Sequence, residues 1–128
     1  MKGIEYEVGK PYEITPELEE KILSIAREVG VKEEEVKKAL ELMKKYKRKI
    51  RGVWATKGWL WIATEHDTKL TWYGVTFSPF VPEGEWGSWY IGELESIGVE
   101  AKIKPVFKWK IEEKDIRQLE LLKKALGE

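Results

Sequence analysis

The chain has 128 residues with a formal net charge of zero, 23 Lys and Arg balancing 23 Asp and Glu. That length suits one domain burying somewhat over ~60% of the surface its unfolded form exposes, and the balanced charge excludes a protein that coats nucleic acid over its whole surface while leaving local patches open. The absence of cysteine excludes a disulfide framework, thiol chemistry and Cys-ligated zinc.

Ile4, Tyr6 and Val8 alternate with charged residues, so the N-terminus reads as a short edge strand. It holds no apolar run of signal-peptide length, and no segment approaches the ~20 apolar residues of a bilayer span. A cytoplasmic protein without a membrane partner is expected. Thr15 offers an N-cap hydroxyl, Pro16 suits the first helical position, and Leu18, Ile22, Ile25 and Val29 recur at helical spacing up to Gly30, predicting a helix over 16–29. A second helix is predicted over 32–49, with Val36, Leu40, Met43 and Tyr46 in its apolar stripe.

Ala26, Gly30 and Val36 sit at helix-turn-helix spacing, but the would-be recognition helix opens with Glu33, Glu34 and Glu35. Carboxylates there repel DNA, and any tight helical corner satisfies the same spacing. The other end of this helix is cationic, with six charges in the eight residues Lys44, Lys45, Tyr46, Lys47, Arg48, Lys49, Ile50 and Arg51. The cations either complement the helix dipole or contact phosphate.

Strands follow, and six of the seven tryptophans fall between Trp54 and Trp89. Strands over 53–56 and 59–64 flank Lys57 and Gly58, a two-residue hairpin turn in which glycine supplies the positive φ. That register sets Trp54 opposite Trp61 and Thr56 opposite Trp59, giving one aromatic face and one aliphatic face carrying Val53, Ala55, Leu60 and Ile62. The aromatic face is then either covered or left for a partner. A polar loop over 65–69 precedes a strand over 70–78, and the side on which Trp72 falls depends on parity across that loop. After an acidic, glycine-containing loop, a strand over 86–91, a helical turn over 93–97, a strand over 99–104 and an alternating run through Phe107, Trp109 and Ile111 are expected. Ile116, Leu119, Leu122 and Leu126 predict a final helix over 114–126. The whole reads as a single α+β domain: a helical part over 1–50, a β-rich part over 51–112 forming one mainly antiparallel, Trp-rich sheet, and a C-terminal helix over 113–128 packed on it.

The string Ala63, Thr64, Glu65, His66, Asp67, then Tyr73, Gly74 and Val75, then Glu85, Trp86 and Gly87, then Glu93, Leu94, Glu95, Ser96 and Ile97 resembles a small domain-of-unknown-function family common on bacterial plasmids and integrative elements. The resemblance covers about half the chain and differs in having His66 where the family has tyrosine. It implies a compact sheet domain with marked positions at Thr64, Glu65, Asp67, Glu85, Gly87 and Glu93, and no activity.

Two functional readings follow. In the first, a non-enzymatic binding module holds a protein or, weakly, single-stranded nucleic acid, using an aromatic patch around Trp61, Trp72 and Trp86 with phosphate contacts from Lys44, Lys45, Lys47, Arg48, Lys49 and Arg51. In the second, Glu65, His66, Asp67 and Glu85 converge as a small catalytic or metal site. Adjacent residues of an extended chain point in different directions, so the triplet is no site by itself. The first reading, with no cofactor and no metal, is the expectation. Charged residues at 36% with no asparagine and one glutamine suit a hyperthermophilic, archaeal source.

Overall fold

The computed structural model of this chain describes residues 4–5, 11–68, 71–90, 92–103 and 110–111. Its elements are β1 (Ile4–Glu5), α1 (Pro16–Val29), α2 (Glu33–Lys45), β2 (Gly52–Thr56), β3 (Trp59–Thr68), β4 (Thr71–Phe77), β5 (Glu85–Tyr90), α3 (Glu93–Ser96), β6 (Ala101–Ile103) and β7 (Lys110–Ile111). The fold is α+β, with a five-stranded antiparallel sheet in the order β5-β4-β3-β2-β6. The expected single sheet is corrected in one respect: Lys110–Ile111 pairs with Ile4–Glu5 in a separate two-stranded sheet. The helix expected over 114–126 lies outside the described residues.

The first helix forms as its sequence dictates. Thr15 Oγ1 accepts a hydrogen bond from the Leu18 N–H at 3.1 Å, and the helix ends at Gly30 in the left-handed conformation. The second helix is shorter than expected, stopping at Lys45. Lys47 takes φ +56°, its N–H donates to the Lys44 carbonyl at 3.1 Å, and the Arg48 N–H donates to the Met43 carbonyl at 2.7 Å. This is a Schellman closure built on lysine instead of glycine. It turns Arg48 and Lys49 off the helix, and Ile50 then bridges to Tyr12.

The two faces of the sheet follow from strand parity. Val53, Ala55, Leu60, Ile62, Val75 and Phe77 join Ile22, Ala26, Val36, Leu40 and Met43 in one core, and α1 lies over β2 and β3. Leu40, Leu60, Ile62 and Phe77 are fully buried, and each contributes ~1.5–3 kcal/mol of hydrophobic stabilisation. The hairpin turn is fixed to the helical layer by the Gly58 N–H, which donates to the Val29 carbonyl at 2.6 Å.

The other face is aromatic and partly covered. Trp54 pairs with Trp61 and Thr56 with Trp59, as the hairpin register predicts. Gly52, Ala63, Gly74 and Gly87 form one row across four strands, flanked by Trp54 and Trp61 on one side and by Trp72 and Trp89 on the other. This valley of small residues lets Trp54 lean across it, with ring centroids 5.5 Å from Trp72 and 6.2 Å from Trp89. Leu94 of α3 and Val99 complete this second core. Trp72 therefore belongs to the aromatic face.

Candidate functional site

The expected polar loop over 65–69 is instead a continuation of β3 to Thr68. The register shifts between Ala63 and Glu65, so Glu65 pairs with Tyr73 and His66 with Trp72. A bulge of this kind re-aims the side chains beyond it. Glu65 and Tyr73 fall on the helical side of the sheet and His66 and Trp72 on the aromatic side. Asp67 follows in the same strand. Glu85 pairs with Thr76, three positions along β4 from Tyr73, which sets it on the face opposite Glu65. Among the described residues, no group of three or more histidine and carboxylate side chains is placed to hold a metal ion.

The tryptophans separate in the same way. Trp72 is fully buried, its ring 5.7 Å from that of His66. Trp61 stacks on Trp59 at 5.5 Å, and Trp59 meets Phe80, 83% exposed, edge-on at 6.2 Å. Trp86 pairs with Val75 and so lies on the helical face. The buried Trp89 Nε1–H finds no hydrogen-bond acceptor among the described residues, which offsets part of what burying that ring contributes.

Trp86 opens onto a cleft. Between the end of α2 and the β4–β5 side of the sheet lies a cavity of about 220 Å³ lined by Leu42, Met43, Tyr46, Arg48, Thr64, Tyr73 and Trp86. Leu42 is 44% exposed, Tyr46 64% and Trp86 40%, so the walls are large apolar groups facing water. Tyr73 and Trp86 lie 6.4 Å apart between ring centroids. Tyr46, expected in the apolar stripe, instead caps the end of α2 and is exposed; with Leu42 four residues before it, it stands on a flank beside the core stripe, at the spacing that brings two side chains together on a helix surface. A second cavity of about 160 Å³ is lined by Val31, Lys32, Phe77, Ser78 and Pro79 among others, and its one hydroxyl is engaged, the Ser78 Oγ accepting from the Val81 N–H at 3.1 Å.

The cationic run borders the first cleft, and half of it is already paired. Arg48 forms an ion pair with Glu65, Lys49 with Glu13 at 2.9 Å, and Lys44 with Glu41 at 2.8 Å and Glu19 at 3.2 Å. Hydrogen bonding to Glu41, then to Glu19, holds the Lys44 ammonium above its ordinary pKa. The Lys45 ammonium sits 5.6 Å from the Tyr46 ring centroid. Lys45, Lys47 and Arg51 have no carboxylate partner among the described residues. The acidic start of α2 is tied down as well: Arg27 pairs with Glu20 at 2.9 Å and with Glu33, and these carboxylates raise the pKa of its guanidinium.

The expected patch of Trp61, Trp72 and Trp86 beside the basic run is divided by the sheet: Trp61 and Trp72 lie on the aromatic face away from the basic residues, and Trp86 lies on the helical face with them. The aromatic side chains that do meet the basic residues are Tyr46, Tyr73 and Trp86. Of the expected site residues, Arg48 and Trp86 line this cleft and Glu65 reaches its rim through Arg48. Leu42, Tyr46 and Tyr73 were missed as site residues, and the apolar Leu42 outside the stripe of α2 was the available signal. The resemblance positions Thr64, Glu65, Asp67, Glu85, Gly87 and Glu93 are spread over β3, β5 and α3. Among the described residues no helix is long and apolar enough to cross a membrane. Compared with protein-family models, curated proteins and solved structures, the chain finds no match in any of the three.

Proposed function

We propose that this chain is a non-enzymatic protein-binding module whose contact surface is the cleft between the end of α2 and the β4–β5 side of the sheet. The observation that carries this reading is an apolar wall beside a rim half of whose cations are already matched by carboxylates. Leu42, Tyr46 and Trp86 expose large apolar surface around a hollow of about 220 Å³, room for an aliphatic or aromatic anchor side chain. A phosphodiester strand would need uncommitted cations along its track. Here Lys44, Arg48 and Lys49 are engaged by carboxylates, which leaves Lys45, Lys47 and Arg51, and the cation that lines the cleft is the paired Arg48. A peptide-like partner is therefore favoured, and single-stranded nucleic acid binds weakly and loses its affinity with salt. A catalytic or metal reading needs Glu65, His66 and Glu85 on one side of the sheet, and the strand pairing opposes that.

The test uses protein labelled with 5-fluorotryptophan, with the Trp86 resonance assigned through Trp86→Phe. A capped leucyl-phenylalanine amide should shift that resonance with a Kd on the order of millimolar, as one anchor of about ten heavy atoms at ~0.3 kcal/mol each implies. An oligothymidylate at physiological salt should leave it unmoved. Movement with the oligonucleotide alone would transfer the reading to nucleic acid, and no movement with either would remove the cleft as the site.

A further inference from the structure

The two edges of the five-stranded sheet are built differently. An edge strand exposes unpaired N–H and C=O groups, and soluble proteins usually blunt it with a lysine, a proline, a bulge or short length. The β6 edge has three such devices: it is three residues long, carries the exposed Lys102, and shifts register against β2. The β5 edge is six residues long, contains neither lysine nor proline, and runs in unbroken register with β4 from Glu85 to Tyr90. Among the described residues no strand pairs on its outer side.

From this asymmetry we infer that β5 pairs antiparallel with β5 of a second copy of this chain about a two-fold axis at Ser88, joining two sheets into one of ten strands. Continuity of the faces restricts the registers to those that set helical-side residues opposite helical-side residues, because a slip of one position exchanges the faces. Centring on Ser88 sets Trp86 opposite the second copy's Tyr90 on the helical side and Gly87 opposite the second copy's Trp89 on the aromatic side. A Cβ at Gly87 would meet no atom within 4 Å, so the row of small residues runs out open at this edge. The strand of the second copy continues the row beyond that opening, while each Trp89 ring stays turned inward onto its own Trp54. Centring on Gly87 instead would set two glycines together and bring each Glu85 against an indole.

Charge favours the antiparallel direction. Glu85 is the only charged residue of β5. Antiparallel pairing about Ser88 separates the two carboxylates by about six residues, or ~20 Å, whereas parallel pairing would bring them side by side. The second copy's Tyr90 beside Trp86 extends the wall of the cleft. The dimer does not depend on the cleft binding anything, because the backbone edge of β5 makes the pairing whether or not the cleft is filled.

Sedimentation of the full chain tests it through the residue on the axis. The wild type should pass from 15.0 kDa toward twice that mass as concentration rises. Ser88→Glu and Ser88→Lys each put like charges together on the axis and should remain monomeric with melting temperatures measured in dilute solution close to wild type. An equimolar mixture of the two should dimerise again, because opposite charges then meet. Gly87→Lys, whose side chain has open space in the protomer, should also be monomeric and folded. A wild type that stays monomeric at every concentration, a dimer that survives all three substitutions, or a mixture that fails to re-associate would overturn the proposal.

Discussion

Gly74→Ala and Gly87→Ala are the same chemical change in neighbouring positions of one row, and the structure assigns them opposite signs. At Gly74 a Cβ would lie 1.9 Å from the Ile62 carbonyl oxygen and 2.9 Å from the Ala63 Cα. Those are backbone atoms of the central strand β3, held on its other side by β2, so no side chain can swing away. Strand separation must grow by about 1 Å, with an overpacking cost of ~1–3 kcal/mol and the weakening of two or so ladder hydrogen bonds at ~0.5–1.5 kcal/mol each. A total near ~3 kcal/mol corresponds to a fall in Tm of roughly 10–15 °C for a chain of this size. Within the protomer the methyl added at Gly87 meets nothing, and in solutions dilute enough to be monomeric the reduced freedom of the unfolded chain makes the change neutral to ~1 kcal/mol stabilising. Calorimetry on both variants, with urea midpoints as a check, decides the matter. A Gly74→Ala protein melting within a couple of degrees of wild type would refute the close approach of β3 and β4 and with it the face assignment of Trp72.

Three further outcomes follow from the same geometry. Lys47→Gly should raise stability by about 1 kcal/mol, since the left-handed conformation costs lysine ~1–2 kcal/mol that glycine avoids, less what glycine adds to unfolded-state entropy; chemical denaturation measures it. Because Glu65 and Glu85 lie on opposite faces of the sheet, millimolar divalent cations should leave the Tm of wild type, Glu65→Gln and Glu85→Gln alike, and cation stabilisation lost in both variants would establish a metal site instead. The Lys44 pKa is raised above 10.5 by Glu41 and Glu19, so its contribution is complete below that pH and lost as pH rises through the higher folded value. The stability difference between wild type and Lys44→Met should therefore be level from pH 7 to about 10 and shrink above it.

What the sequence made legible was local. Thr15, Pro16 and Gly30 mark both ends of α1 because cap chemistry is written in single residues. The Trp54–Trp61 pairing follows from one two-residue turn at Lys57 and Gly58. The end of α2 was not legible, because its closing left-handed residue is Lys47 and no glycine or asparagine announces it; the basic run consequently reads as helix where it leaves the helix. The bulge at Thr64 was equally hidden. It fixes which of Glu65 and His66 falls on each face, and a bulge depends on what lies across the strand, here the Cβ-less Gly74. The cleft combines Tyr46 of α2 with Tyr73 and Trp86 of β4 and β5, a meeting set by how far the helical layer reaches across the sheet. Leu42 carried a hint, as an apolar residue outside the stripe of Val36, Leu40 and Met43, whereas Tyr46 read as part of that stripe and is turned out of it by the early end of α2.

The cleft on the helical side is proposed as the partner-binding surface in place of the more conspicuous tryptophan face. Amide chemical-shift mapping with the capped leucyl-phenylalanine amide tests it most directly, using wild type and Tyr46→Ala, which removes a side chain 64% exposed and should change stability by less than about 0.5 kcal/mol. Shifts should cluster at Leu42, Tyr46, Arg48, Thr64, Tyr73 and Trp86 in the wild type and be absent in the variant. Shifts centred on Trp59, Trp61 and Phe80 and unaffected by Tyr46→Ala would contradict it.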